Sequence, residues 1–185
     1  MHSRIILLII TLLMSSAASA EEISIQTSNN AARFMYLTEA FGQDFGRLEL
    51  ELGLLYNENS DTLFNAGILV RGEGVSVPII VSIGIRSYYA ELDAYSLGAV
   101  AIGGDLLLAP ESWGGFGLGA YYFTSPGVMT FGDADDITEY GAYVSFQITT
   151  QASIALGYQL LEAEVTNVGD IPIVDGGYFG LNINF

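Results

Sequence analysis

An all-β, closed antiparallel transmembrane β-barrel with up-and-down topology is predicted for this 185-residue chain by three observations. Apolar residues recur at every second position through most of the chain. The opposing positions carry Gly, Ser, Asn, Gln and isolated charges, with no Lys anywhere. A secretory leader stands in front of both. A period of 2.0 is that of a strand, whereas a helix would repeat near 3.6. A soluble half-buried sheet would show denser charge on its wet face. A small-residue polar face opposite a long apolar band ending in Tyr and Phe fits a barrel that turns its greasy side to lipid. In hydrocarbon an open sheet edge leaves backbone groups unsatisfied, so the sheet must close.

The elements follow in order. Met1–Arg4 carries a His and an Arg, Ile5–Met14 is apolar except for Thr11, and Ala18-Ser19-Ala20 ends the segment in an A-x-A pattern. These are the three parts of a signal peptide, with cleavage expected after Ala20; the apolar run is too short for a membrane-spanning helix. Residues 21–185 then form the barrel. Ile23–Thr27 supplies a short first strand that turns at Asn29-Asn30, and 31–41 the second. In 45–56, Leu48, Leu50, Leu52, Leu54 and Tyr56 oppose Arg47, Glu49, Glu51 and Gly53. Phe64, Ala66, Ile68 and Val70 do the same in 61–71 against Asn65, Gly67 and Arg71. Ile79, Val81, Ile83 and Ile85 oppose Ser82, Gly84 and Arg86 in 77–87. Strands 94–107 and 115–123 follow, the latter setting Phe116, Leu118, Ala120 and Tyr122 against Gly117, Gly119 and Tyr121.

Tyr140, Ala142, Val144, Phe146 and Ile148 line one face of 138–149, and Ile154, Leu156, Tyr158 and Leu160 one face of 151–162. Phe179, Leu181, Ile183 and Phe185 close the series in 176–185. Both termini on the periplasmic side require an even number of strands. That gives ten, with eight left open if the first pair is irregular. Short turns at Gly42-Gln43-Asp44, near Pro110 and at Thr149-Thr150-Gln151 then face inward to the cell, and longer segments 124–137 and 163–175 face out. Trp113 and the pair Tyr88-Tyr89 are expected near the interfaces.

Composition narrows the chemistry. The chain is 51% apolar and 14% charged, with five Lys plus Arg, 21 Asp plus Glu and a net charge of −16, which excludes non-specific nucleic-acid binding. It has no Cys, so neither a disulfide scaffold nor a thiolate metal site exists. Loss of the leader removes His2 and Arg4, leaving four Arg against 21 acids, a net charge of −17, and no His. No Ser–His, Cys–His or Ser–Lys system can then be built, nor an imidazole metal ligand. Glu49 and Glu51 share a face but stand beside Arg47, which reads as ion pairing rather than acid–base catalysis. The expectation is no enzyme, no metal and no cofactor.

The polar faces instead supply a lumen charge network of Arg47, Glu49, Glu51, Arg71, Arg86 and Glu139. On the lipid face an Arg near the midplane would cost about 2–4 kcal/mol; inward it can pair across strands. The network reads as a plug filling a small bore, with a narrow pore for small solutes or ions as the alternative. A third reading is a soluble periplasmic barrel with its apolar face turned inward around an apolar ligand. Asp133-Ala134-Asp135-Asp136 reads as a solvated outer loop, since the calcium-loop pattern is absent. Gly115-Phe116-Gly117-Leu118-Gly119 has its glycines at period two with no helix following, so it is strand and not a phosphate cradle.

Tyr121-Tyr122-Phe123-Thr124-Ser125-Pro126, then Glu139-Tyr140-Gly141-Ala142, Ala155-Leu156-Gly157-Tyr158 and Asp175-Gly176-Gly177-Tyr178-Phe179-Gly180-Leu181, resemble the YfaZ family of Gram-negative outer-membrane proteins. The resemblance is carried by 94–185. It implies location and fold and brings no activity with it. Phe179, Leu181, Ile183 and Phe185 are similar to the C-terminal assembly signal of outer-membrane barrels. The expected partners are therefore outer-membrane lipid and lipopolysaccharide, and the outer-membrane assembly machinery.

Overall fold

The computed structural model describes residues 21–43, 46–59, 61–74, 77–92, 95–166 and 168–185. The leader expected over 1–20, and Asp44 of the expected inner turn, lie outside them. The described residues hold no α-helix. Eleven strands run β1 (Glu21–Ser28), β2 (Ala31–Gln43), β3 (Gly46–Asn57), β4 (Thr62–Glu73), β5 (Ile79–Leu92), β6 (Tyr95–Leu108), β7 (Phe116–Thr124), β8 (Thr130–Gly132), β9 (Ala134–Gln147), β10 (Ala152–Val165) and β11 (Gly169–Asn184). Ten of them close a ring: β1 to β7 pair in sequence, β7 pairs with β9, and β9, β10 and β11 lead back to β1, every contact antiparallel. β8 is the exception, a three-residue strand on the edge of β6 above the point where β7 ends.

Glu21 and Phe185 meet at one rim, the terminal end, where β1 joins β11 from Glu22–Asn184 to Ser28–Tyr178, and the Phe185 N–H donates to the Glu21 carbonyl at 3.0 Å. This terminal end also holds the connections β2–β3, β4–β5, β6–β7 and β9–β10. In the β6–β7 connection a 3-10 turn (Glu111–Trp113) is closed by Gly114 and Gly115 at φ of 63° and 95°, a conformation that costs glycine nothing. The distal end holds the other five connections.

The period-two pattern sorts the wall in its terminal half as the alternation requires. Leu50, Leu52 and Leu54 are 39%, 44% and 49% exposed, while Glu49 and Glu51 on the opposite face are buried. Ile68, Ile83, Ile85, Leu118, Val144 and Leu156 continue the outward apolar band around the ring. Aromatic side chains border it, with Phe116 and Phe146 in contact at 4.8 Å toward the terminal end and Tyr122 and Tyr140 stacked at 6.5 Å toward the distal end. Trp113 and Tyr89 are exposed as expected of interface residues. Tyr88 is not: it is 3% exposed and points into the bore, because neighbours on a strand face opposite sides. The expectation for the tyrosine pair is thereby corrected for one of its members.

Three further expectations change at the distal end. Segment 163–175 is not a long loop. β10 and β11 continue as a hairpin, pairing Ala163 with Ile171 and Val165 with Gly169. A bulge between Leu161 and Glu162 leaves Ile173 without an opposite residue, so Ile173 and Val174 both turn inward and are 2% and 1% exposed. Segment 124–137 is likewise only partly loop, since β9 begins at Ala134. Asp133-Ala134-Asp135-Asp136 is tied down: the Asp133 carboxylate accepts from the Ser96 N–H at 3.1 Å, Asp135 accepts from the Thr166 hydroxyl at 2.9 Å, and Ala134 is buried.

Finally, the bore is not polar throughout. Leu55, Leu63, Ala90, Leu97, Phe123, Ile137, Leu161, Ala163, Val165 and Ile173 form one buried apolar cluster filling the distal half. These inward positions lie where the strands are apolar on both faces, as in Leu54-Leu55 and Leu63-Phe64.

Candidate functional site

Where the apolar filling ends, a closed ring of polar side chains spans the bore. Arg33 of β2 pairs with Glu139 of β9; Glu139 accepts from Arg86 Nη1 of β5 at 2.9 Å; Arg86 Nη2 donates to Glu51 of β3 at 2.7 Å. Asn65 of β4 completes the circuit, donating from Nδ2 to Glu51 at 2.6 Å and accepting from Arg33 Nη2 at 3.3 Å. Tyr88 adds a hydroxyl that donates to Glu139 Oε2 at 2.5 Å, and the Arg86 guanidinium lies 3.9 Å from the centre of the Phe123 ring. The members come from five strands, and Glu139 reaches them from the opposite wall, so the ring braces the barrel across its width.

Burial makes this arrangement demanding. The side chains of Arg33, Glu139, Arg86 and Glu51 are 3%, 1%, 8% and 4% exposed. Two guanidiniums and two carboxylates cancel in charge, and every carboxylate oxygen of Glu51 and Glu139 has a donor. Such a network tolerates burial because its charges are paired, and only Arg33 Nε and Arg86 Nε among its buried atoms are left without a hydrogen-bond partner. Gly53 makes the room: a Cβ there would come 2.8 Å from Asn65 Cγ. Inward tyrosines use glycine in the same way. Tyr121 lies over Gly141, where a Cβ would meet its Cζ at 2.7 Å, and Tyr143 lies over Gly119.

The six residues expected in a lumen network are thus placed on three levels. Glu51, Arg86 and Glu139 join the central ring. Arg71 and Glu49 pair at 3.3 Å between the ring and the terminal rim, partly exposed. Arg47 pairs with Glu73 at the rim, 37% and 57% exposed, and does not meet the others. Arg33, Asn65 and Tyr88 are the members that sequence reasoning missed. Arg33 was legible as the one charge among the apolar residues at the start of β2, beside outward Phe34. Tyr88 gave no separate signal inside the tyrosine pair. Phe179, Ile183 and Phe185 lie exposed on the outer side of the last strand, with Leu181 half-buried in the same row.

Below the ring, toward the terminal end, the bore opens into a cavity of about 490 Å³. Its wall includes Glu22, Ser24, Arg71, Asp105 and Tyr143, and it reaches from the rim at Thr150 and Asn184 up to Arg33, Arg86 and Glu139. None of the distal apolar filling lines it apart from its border with the ring. Among the described residues no three His, Cys, Asp or Glu side chains converge as a metal site.

The YfaZ precursor family matches residues 2–185, nearly the whole chain and well beyond the 94–185 whose motifs carry the resemblance. No curated protein matches the chain in sequence. Among solved structures it is similar to a protein studied for the mechanism of in-meso crystallization of membrane proteins, at 11% identity and a TM-score of 0.48, covering 90% of this chain and 83% of that one. It is also similar to the NanC porin, at 11% identity and 0.44 over 91% and 99%. The outer membrane channel DcaP of Acinetobacter baumannii aligns at 7% identity and 0.44 over 91% and 60%.

Proposed function

This chain belongs to the YfaZ family, and from that premise we propose that its mature form is a sealed barrel of the outer membrane with a structural or surface-interaction role. The precursor is exported and cleaved after Ala20; the terminal end faces the periplasm and the distal end faces out. The observation that carries this reading is the two-sided wall. Large apolar side chains stand exposed around the whole ring while Arg33, Glu49, Glu51, Arg86 and Glu139 of the same strands are buried inside it. An exposed apolar surface of this extent belongs against acyl chains.

The sealed lumen rests on the distal filling. Between the ring and the distal rim the bore is packed with aliphatic side chains at 0–2% exposure, which leaves no path for a hydrated solute. What the protein offers outward is then its rim, where Glu58, Glu91, Asp133, Glu164, Asp170 and Asp175 are exposed and no Arg stands beside them among the described residues. Such a rim meets lipopolysaccharide phosphates through bridging divalent cations rather than directly. The outward row Phe179, Leu181, Ile183 and Phe185 supplies what the outer-membrane assembly machinery reads. No enzymatic role is proposed.

Planar-bilayer recording tests this. The refolded wild type should show no discrete conductance steps; regular steps would overturn the sealed reading in favour of a narrow pore.

A further inference from the structure

The cavity at the terminal end is more than unfilled space. All four Arg of the mature chain line it, together with seven carboxylates, an acidic excess of three. The α-amino group that cleavage after Ala20 would place at the rim leaves that excess acidic. Ion pairing accounts for part of the set: Glu51 and Glu139 serve Arg33 and Arg86, Glu49 serves Arg71, and Arg47 turns to Glu73 at the rim. Glu21, Glu22, Glu39 and Asp105 remain on the wall; of these Glu22 and Asp105 are half-buried with no guanidinium in salt-bridge range among the described residues, and Asp105 accepts the Ser82 hydroxyl at 3.2 Å.

A second and independent observation lies on β1 and β4. Ser24 is 2% exposed, lines the cavity, and its Oγ has no hydrogen-bond partner; Gln26 Oε1 and Arg71 Nε, on half-buried residues of the same wall, lack one too, as do Arg33 Nε and Arg86 Nε in the ring above. Buried polar atoms in proteins are partnered almost without exception, so these orphans mark groups awaiting a complement. The orphans include an acceptor, a donor and a hydroxyl that can be either, set beside two carboxylates.

We propose that this cavity is a binding site for a small amine-bearing zwitterion of amino-acid size, admitted from the terminal end only. Its ammonium would be held by Glu22 and Asp105, and its carboxylate by Arg71 Nε and Ser24 Oγ. The volume lies within the range of small-molecule sites. The acidic excess disfavours a plain anion, and the ring above makes the cavity a dead end, so occupancy rather than transit is the result. Only that direction of access rests on the sealed reading; the binding itself does not.

The test uses the full mature protein refolded in detergent micelles, with L-lysine, cadaverine and glutarate as probes in calorimetric titrations. L-lysine should bind saturably, cadaverine more weakly, and glutarate not at all. Glu22→Gln and Asp105→Asn should each weaken L-lysine about tenfold, the size of one lost charge-assisted bond, in protein whose heat-modifiable migration is unchanged. Should either variant fail to fold, Ser24→Cys in the chain without other cysteines provides the readout: L-lysine should slow its alkylation. Absence of saturable binding, equal binding by glutarate, or indifference of the variants and of Ser24→Cys alkylation would overturn the site. Uptake of L-lysine into proteoliposomes would contradict the sealed barrel while leaving the site standing.

Discussion

The two halves of the bore are built from the same strands and differ in nearly every physical respect. Toward the terminal end β3 reads Leu48-Glu49-Leu50-Glu51, apolar out and charged in, and its inward groups face a cavity of about 490 Å³. Four residues on, Leu54-Leu55 is apolar on both sides, and Leu55 is packed at 1% exposure. The same change occurs in β4 between Arg71 and Leu63, and in β10 between Ser153 and Leu161. Strict alternation marks a strand between oil and water; a continuous apolar run marks one between oil and a dry core. The polar ring sits at the boundary because it is the last level at which charges can be fully paired before the interior turns apolar.

Breaking that boundary should have the largest effect. Glu139→Ala removes the acceptor shared by Arg33, Arg86 and Tyr88, and the loss of one partner from a buried ionic network costs about 3–5 kcal/mol. Urea unfolding in micelles should show the shift, with no comparable loss at the rim. Ile137→Ala, in the dry half at 0% exposure, should cost about 2–5 kcal/mol through transfer and cavity terms. In bilayers the same variant reveals whether the filling seals the bore, since transient conductance would appear only here. Leu52→Arg, on the outer face at 44% exposure, should destabilise by about 2–4 kcal/mol in lipid, and a neutral outcome would break the sorting of faces.

Two smaller effects sharpen the comparison. Tyr88→Phe keeps the ring's shape and removes only the hydroxyl on Glu139, worth about 1.5–3 kcal/mol for a bond to a charged group. Arg47→Ala removes the exposed pair with Glu73 and should change stability by less than about 1 kcal/mol, with that small effect vanishing at high salt. A rim variant as costly as a ring variant would mean that burial does not grade these pairs.

Much of the fold was legible because closure and alternation are both local in cause. Most strand positions, the short first strand at Ile23–Thr27 and the turns near Pro110 and at Thr149-Thr150-Gln151 follow from period and turn residues, whereas Gly42 and Gln43, expected in a turn, still belong to β2. The distal hairpin is not legible as strand because the outward apolar band ends before it, although Ala163, Val165, Ile171 and Ile173 carry the inward row on past that point. The bulge at Ile173 breaks the period there, which hid the continuation. The charge network was legible by face but not by level. Sequence places Arg47, Arg71 and Arg86 on the same side of the wall, whereas strand stagger decides that one reaches the rim, one the cavity and one the ring. Asn65 and Tyr88 matter only through Glu139 and Glu51 on other strands, contacts that no single strand announces.

Since the chain contains no cysteine, single introduced cysteines carrying a nitroxide label report their surroundings without interference. Leu52→Cys, Leu97→Cys and Ser153→Cys should respond to three different media in a refolded bilayer sample: Leu52 to oxygen dissolved in hydrocarbon, Ser153 to a water-soluble relaxant, and Leu97 to neither. A label at Leu52 that is wetted, together with one at Leu97 open to the water-soluble relaxant, would contradict both the sorting of the wall and the dry upper bore.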